Sequence, residues 1–403
     1  MAILLLPFIF LLSSSYATDI SIYHNQKECQ SSSCNPFEAL LKLAGNDPAR
    51  VAYLSSLVAK SSVPIASGQQ QTQTANYILR AKLGTPGQVM LMALDTSRDI
   101  AWVPCSGCSG CPSTTLFSPT YSSTYATLSC SSPPCTFNQS YGTGSFSAIY
   151  SQDSLRLALD IIPNYTFGCV NAVTGAETLP KQGLLGLGRG PMSLLSQTGS
   201  MYQGVFSYCL PSFKSYYFSG SLKLGPVGQP RSIRTTPLLH NPHRPSLYYV
   251  NLTGISVGKI QVVVPEGSLS FDPVTGAGTI VDSGTVITRF VKPVYEALRD
   301  EFRRQVGAEN YSSLGAFDTC FNDAGGPSVP VVTLHFEGLN LALPAENTLI
   351  HSSAMPLACL AMAAAPDNVN AVVNVIANLQ QQNMRVLFDV AGSRVGLARE
   401  LCN

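Results

Sequence analysis

Leu94-Asp95-Thr96-Ser97 and Val281-Asp282-Ser283-Gly284-Thr285 place an acidic residue after an apolar, strand-like run, almost half a chain apart. The run is Val89-Met90-Leu91-Met92-Ala93-Leu94 in the first case and Gly278-Thr279-Ile280-Val281 in the second. A carboxylate at the end of a buried strand is costly to ionise, so it needs a hydroxyl, a peptide N–H or a proton. Thr96, Ser283 and Thr285 offer hydroxyls, and Gly284 lets the backbone turn its N–H toward Asp282. If the two turns meet, the like charges cannot both ionise easily. One proton is then shared, which leaves a base and an acid around a water, the chemistry of peptide hydrolysis at acid pH.

Other chemistries lack their residues. There is no Gly-x-Ser-x-Gly elbow and no His-Glu-x-x-His among the five histidines. His240 and His243 are interrupted by Pro242 and read as solvated turn residues. A two-carboxylate glycosidase would not account for a turn of the same type occurring twice. Gly183 to Gly188 is rich in glycine but lacks the Gly-Lys-Ser/Thr ending of a phosphate loop, so close-packed backbone is the better reading.

The surrounding landmarks resemble the pepsin-like aspartic endopeptidases over nearly all of the chain after about residue 70. They are Asp95 through Trp102 to Pro104, Tyr141-Gly142-Thr143-Gly144-Ser145, Gln182 to Gly188, and Leu387-Phe388-Asp389 with Arg394 to Ala398, in that order. The resemblance implies an all-β, bilobal fold, with two β-barrel-like lobes and a cleft between them. It implies Asp95 and Asp282 as the catalytic pair, without cofactor, metal or covalent intermediate. Tyr141, Gly142 and Thr143 correspond to the tip of the flap that closes over substrate, with Trp102 beside it. Gly284 and Thr285 border the cleft, while Thr96 and Ser283 brace the two turns. The expected partners are polypeptide substrates, with no nucleic acid and no membrane, and the expected state is a monomer. The same group contains proteins that keep the fold as inhibitors of secreted hydrolases, so a catalytically impaired binding protein is the rival reading.

This chain departs from the pattern at three places: Ser97 replaces the usual Gly, Arg98 replaces a hydroxyl residue, and Ala377 replaces a Gly in Val375-Ile376-Ala377-Asn378. Burying Arg98 beside the cleft without a second partner is costly, so its side chain is expected to turn to solvent.

The elements that must position these turns follow from composition. The chain has 403 residues, with 32 Gly, 27 Pro and only 12% charged residues, a turn-rich pattern typical of β proteins. A net charge of +1, without Lys/Arg blocks, argues against nucleic acid or an anionic membrane as partner. Residues 1–17 read as a secretory signal, with an apolar run from Ile3 to Leu12 and small residues Ser15 and Ala17 at the cleavage site. Residues 18–68 read as a prosegment with amphipathic helices opening at Asn35-Pro36 and Asp47-Pro48. Its Lys27, Lys42, Arg50 and Lys60 are balanced by Asp19, Glu28, Glu38 and Asp47, unlike the strongly basic prosegments of pepsins. Residues 69–212 are expected to form the lobe with Asp95 and the flap, and 213–403 the lobe with Asp282. Secretion to the apoplast or cell wall is the expected destination.

In that setting the 12 cysteines should form disulfides. Spacing alone leaves the connectivity open. The nepenthesin-like plant branch, which this cysteine density resembles, implies Cys105–Cys108, Cys111–Cys169, Cys130–Cys135, Cys209–Cys402 and Cys320–Cys359. Cys29 and Cys34 would leave with the prosegment. Sequons at Asn138, Asn164, Asn251 and Asn310 are candidates for glycosylation.

Overall fold

The computed structural model describes residues 18–24, 37, 41, 44, 47, 77–112, 115–131, 134–141, 144–175, 179–181, 183–213, 220–324, 329–352, 354–367 and 371–402. The signal segment, Cys29 and Cys34 lie outside them.

Each acidic turn ends a strand because the strand has nowhere polar to go. Tyr77–Leu83 and Gln88–Asp95 pair antiparallel from Leu83↔Gln88 to Ile78↔Ala93 around Gly84, whose φ is +89°. The second strand becomes continuously buried over Met92–Asp95 and delivers Asp95 into the interior. Leu184–Gly186 lies parallel to it, with Asp95 opposite Gly186. In the other half Gly278–Val281 is buried throughout and runs parallel to Val373–Ile376, with Val281 opposite Ile376. The two halves therefore present the same unit, a parallel strand pair ending in an acidic turn.

Around the first unit, Gly144–Leu157 and Asp160–Thr174 form a long hairpin, and Thr136–Tyr141 pairs with the former up to Tyr141↔Gly144. Around the second stand two four-stranded sheets and the helix Lys292–Val306. That helix starts with Pro293 in its first turn, stops at Gly307 (φ +64°), and buries Val294, Tyr295, Leu298 and Phe302 on one face. The lobes are joined by one extended sheet in which Val205–Cys209 pairs with Met384–Asp389, and Arg234–Leu239 with Arg394–Arg399. The molecule is thus all-β and bilobal.

The segment expected to be a prosegment enters this framework. Thr18–His24 is a strand, not foreseen from sequence, lying between Gly220–Leu224 and Tyr77–Leu83. Phe37, Leu41, Ala44 and Asp47 are helical, and Phe37 and Ala44 are buried in an apolar cluster with Val286, Ile287 and Leu379.

The disulfides correct two of the expected pairings. The bonds are Cys105–Cys169 and Cys108–Cys111, in place of Cys105–Cys108 and Cys111–Cys169. The cause is the sheet. Trp102–Ser109 runs parallel to Asp160–Thr174 with Val103 opposite Cys169. Cys105, two residues on, shares the face of Val103, and its Cα lies 5.5 Å from that of Cys169. Cys108 then closes a surface turn onto Cys111 through Gly110 (φ +75°). Cys130–Cys135, Cys209–Cys402 and Cys320–Cys359 are also bonded.

Candidate active site

Asp95 and Asp282 are both fully buried, and each carboxylate meets donors from its own turn. The Ser97 N–H and hydroxyl donate to Asp95 Oδ1 at 2.8 and 3.0 Å. The Gly284 N–H donates to Asp282 Oδ1 at 3.2 Å, and the Thr285 hydroxyl to Oδ2 at 2.6 Å. Ser97 thus brings a hydroxyl to the first aspartate from one position before Arg98, where the family pattern has its own.

Two residues tie the turns together. The Thr96 N–H donates to Ser283 Oγ at 3.2 Å, and the Ser283 N–H donates to Thr96 Oγ1 at 3.0 Å. Ser283 Oγ also donates to the Leu94 carbonyl at 3.2 Å, and Thr96 Oγ1 lies 3.4 Å from Asp282 Oδ1. The structure therefore brings Asp95, Thr96, Asp282, Ser283, Gly284 and Thr285 into one site. The two buried carboxylates are thus held on adjoining turns, each bonded to donors of its own turn.

The two flanking segments differ in a way their sequences explain. A Cβ at Gly186 would come within 2.0 Å of the Asp99 carbonyl oxygen, so that position needs glycine. Ala377, its counterpart, has φ −97°, is fully buried, and donates its N–H to Thr288 Oγ1 at 3.1 Å. Its methyl is accommodated because the chain turns at once into the 3-10 helix Asn378–Gln381. Asn378 Nδ2 donates to the Ser283 carbonyl at 3.0 Å, and Gln381 Nε2 to the Asp282 and Ile376 carbonyls at 3.3 and 2.8 Å. Sequence reasoning passed over these amides; the run Gln380-Gln381-Gln382 beside an apolar strand was the available signal.

Arg98 is buried, with 5% of its surface exposed, against the expectation that it faces solvent. Asp99 accepts from Gly190 N–H of its own lobe at 2.8 Å and from Ser246 Oγ of the other lobe at 2.5 Å. Nearby, Arg189 donates to the Leu239 carbonyl and lies over the Tyr248 ring.

Trp102 is buried and packs against Phe146 of the flap hairpin, with ring centroids 4.8 Å apart. Tyr141 ends its strand opposite Gly144. Gly142, Thr143 and the Tyr141 side chain lie outside the described residues.

Asp47, which reads as a helix cap in the sequence, reaches the second turn. Its Oδ1 accepts from Val286 N–H at 2.9 Å and its Oδ2 from Ile287 N–H at 2.7 Å. Arg289 donates to the Ala44 carbonyl at 3.1 Å; burial lowers its pKa and the charge of Asp47 opposes that shift. Among the sequons, Asn138, Asn164 and Asn310 are exposed, whereas Asn251 donates to Glu337 at 3.0 Å. Among the described residues no group of three His, Cys, Asp or Glu is placed to hold a metal ion, and no helix is long and apolar enough to cross a membrane.

Family models described as Xylanase inhibitor N-terminal and Xylanase inhibitor C-terminal match residues 77–226 and 247–399. The chain is 58% identical to Aspartyl protease 25 of Oryza sativa subsp. japonica, across 96% of this chain and 95% of that one. It is 56% identical to Aspartyl protease AED3 of Arabidopsis thaliana (92% and 90%). It is 35% identical to Aspartic proteinase nepenthesin-1 of Nepenthes gracilis (81% and 78%). Among solved structures, that of edgp superposes with a TM-score of 0.67 over 82% of this chain and 93% of that one, at 21% identity, a likeness of fold.

Proposed function

Because the chain belongs to the pepsin-like aspartyl proteases, its nepenthesin-like relatives among them, we propose that it hydrolyses polypeptides with water activated between Asp95 and Asp282. The observation that carries this reading is the reciprocal pair of hydrogen bonds between Thr96 and Ser283, which draws two buried carboxylates together. One carboxylate, ionised, takes a proton from the water as it attacks the peptide carbonyl. The other, protonated, gives its proton to the carbonyl oxygen. Collapse of the tetrahedral intermediate returns a proton to the leaving amine. An acidic optimum follows, because the pair works with one proton between two carboxylates. The substrate lies extended across the cleft, held by main-chain hydrogen bonds, and the flap bearing Tyr141, Gly142 and Thr143, backed by Trp102, excludes water. Both aspartates come from one chain, which suits a monomer.

The protein is further proposed to be secreted after loss of residues 1–17, glycosylated at exposed sequons, and made as a zymogen. The zymogen reading is supported by Asp47, which takes two backbone N–H groups one and two residues beyond Thr285, and by the apolar side chains packed beside it. A substrate strand entering beside the second turn would compete for that position.

A binding protein without turnover is the second reading, favoured by the buried Arg98 and by the description of the matching family models. Incubating the processed chain with a denatured protein at about pH 4 decides between them. Cleavage lost in Asp95→Asn supports the protease, and an intact substrate refutes it.

A further inference from the structure

The main-chain support of the two aspartates is not symmetric. In the first lobe the Asp95 carbonyl accepts from the Leu187 N–H at 2.9 Å, a backbone bond just past the parallel pair Asp95↔Gly186. The counterpart of Leu187 in the second lobe is Asn378, one residue past Ala377. Its N–H is turned by the 3-10 helix to the Thr285 carbonyl, 2.9 Å away, and does not serve Asp282. Gln381 takes the place of that donor. Its Nε2 reaches the Asp282 carbonyl at 3.3 Å and the Ile376 carbonyl at 2.8 Å, and the Ile376 carbonyl also accepts from the Asp282 N–H at 3.0 Å.

The other end of this amide is held as well. Gln381 Oε1 accepts from the Tyr208 hydroxyl, which is fully buried on the central strand Val205–Cys209. Burial raises the Tyr208 pKa well above the usual tyrosine value, and the charge of Asp282 raises it further, so this hydroxyl remains a donor. With Oε1 occupied by a donor, the amide orientation is set and Nε2 must face the two carbonyls. Gln381 is 1% exposed, so neither end can be exchanged for bulk water at low cost.

Resting on the proposed proteolysis, we propose that Gln381, oriented by Tyr208, is a positioning residue for that reaction. It holds the Asp282 carbonyl and the Ile376 carbonyl that accepts the Asp282 N–H, and so aims the carboxylate at the water and at its partner across the seam. A loosened Asp282 turn still binds substrate along the cleft, yet forms the transition state poorly, so kcat suffers and KM does not.

The test uses the processed chain with kcat normalised to active sites titrated by a tight inhibitor, which removes any misfolded fraction. Gln381→Leu is expected to lower kcat about ten- to hundredfold with KM within about twofold. Tyr208→Phe keeps the ring and frees the amide, and is expected to lower kcat about two- to tenfold. Gln381→Glu can donate to a carbonyl only while its carboxyl is protonated, so its kcat relative to wild type should rise as pH falls. Amide hydrogen exchange reads the same effect without turnover: Gln381→Leu should lose protection over residues 282–285 and keep it over 95–97. Should Gln381→Leu not fold, the Tyr208→Phe and Gln381→Glu measurements decide. Unchanged kcat per titrated site, a flat Gln381→Glu ratio, or equal loss of protection in both turns would overturn the proposal. Absence of hydrolysis by the wild type would instead refute the proteolytic reading, while hydrogen exchange still decides whether Gln381 holds the turn.

Discussion

Thr96 and Ser283 each donate a main-chain N–H to the other's side-chain hydroxyl, at 3.2 and 3.0 Å, across a separation of 187 residues. Each hydroxyl is therefore spent on aligning the opposite lobe. Removing one leaves a buried N–H unpaired, which costs about 1–3 kcal/mol. Thr96→Val and Ser283→Ala should each destabilise the fold by that amount and lower kcat. Because the bonds form one unit, the double variant should cost less than the sum of the singles, as denaturant unfolding would read. Strictly additive losses would show that the two bonds act independently.

Asp95→Asn and Asp282→Asn should each abolish hydrolysis while leaving the melting temperature within a few degrees, since side-chain volume is kept and the Thr285 hydroxyl can reverse its bond to accept from the side-chain amide introduced at position 282. Cleavage of a denatured protein by both variants at the wild-type rate would place the chemistry elsewhere.

Asp47→Ala removes the acceptor from the Val286 and Ile287 N–H groups and the charge partner of the buried Arg289. The N-terminal segment should then hold less firmly and be cut away faster from the full-length chain at acid pH, as followed by gel electrophoresis. Processing at an unchanged rate would mean that Asp47 does not restrain the segment.

Arg385 has only 2% of its side chain exposed and is bonded to Glu400 through both Nε and a terminal nitrogen. The bond from Arg385 lowers the Glu400 pKa below its ordinary 4.5. A depressed carboxylate pKa contributes stability that is present above the ordinary value and is lost as pH falls through the folded one. The wild type should therefore lose part of its stability on acidification from about pH 4.5 downward, within the proposed working range. Glu400→Gln should flatten that part of the Tm–pH curve and cost about 1 kcal/mol at neutral pH, a modest figure because the Glu400 side chain is 40% exposed. An identical Tm–pH curve in the variant would remove Glu400 as the cause.

The sequence by itself determined the fold class and the local chemistry of the two turns. A buried strand ending in Asp, followed within three residues by Ser97 or by Gly284 and Thr285, contains its own hydrogen-bond donors, and those bonds span only two or three positions. Apolar runs likewise carry their reasons locally, whereas Gly186 is required by a distant residue, the Asp99 carbonyl oxygen, which would stand 2.0 Å from a Cβ there. Tertiary structure decided everything that depended on register or reach. Cys105 pairs with Cys169 because two parallel strands bring their faces together, which cysteine spacing does not encode. Arg98 is buried, and Asp99 bonds Ser246, 147 positions away, where the lobes meet. Asp47 meets Val286 and Ile287 across 239 and 240 positions, and Tyr208 meets Gln381 across 173. Local propensity carries no information about partners so distant; packing of the lobes alone selects which buried polar group satisfies which.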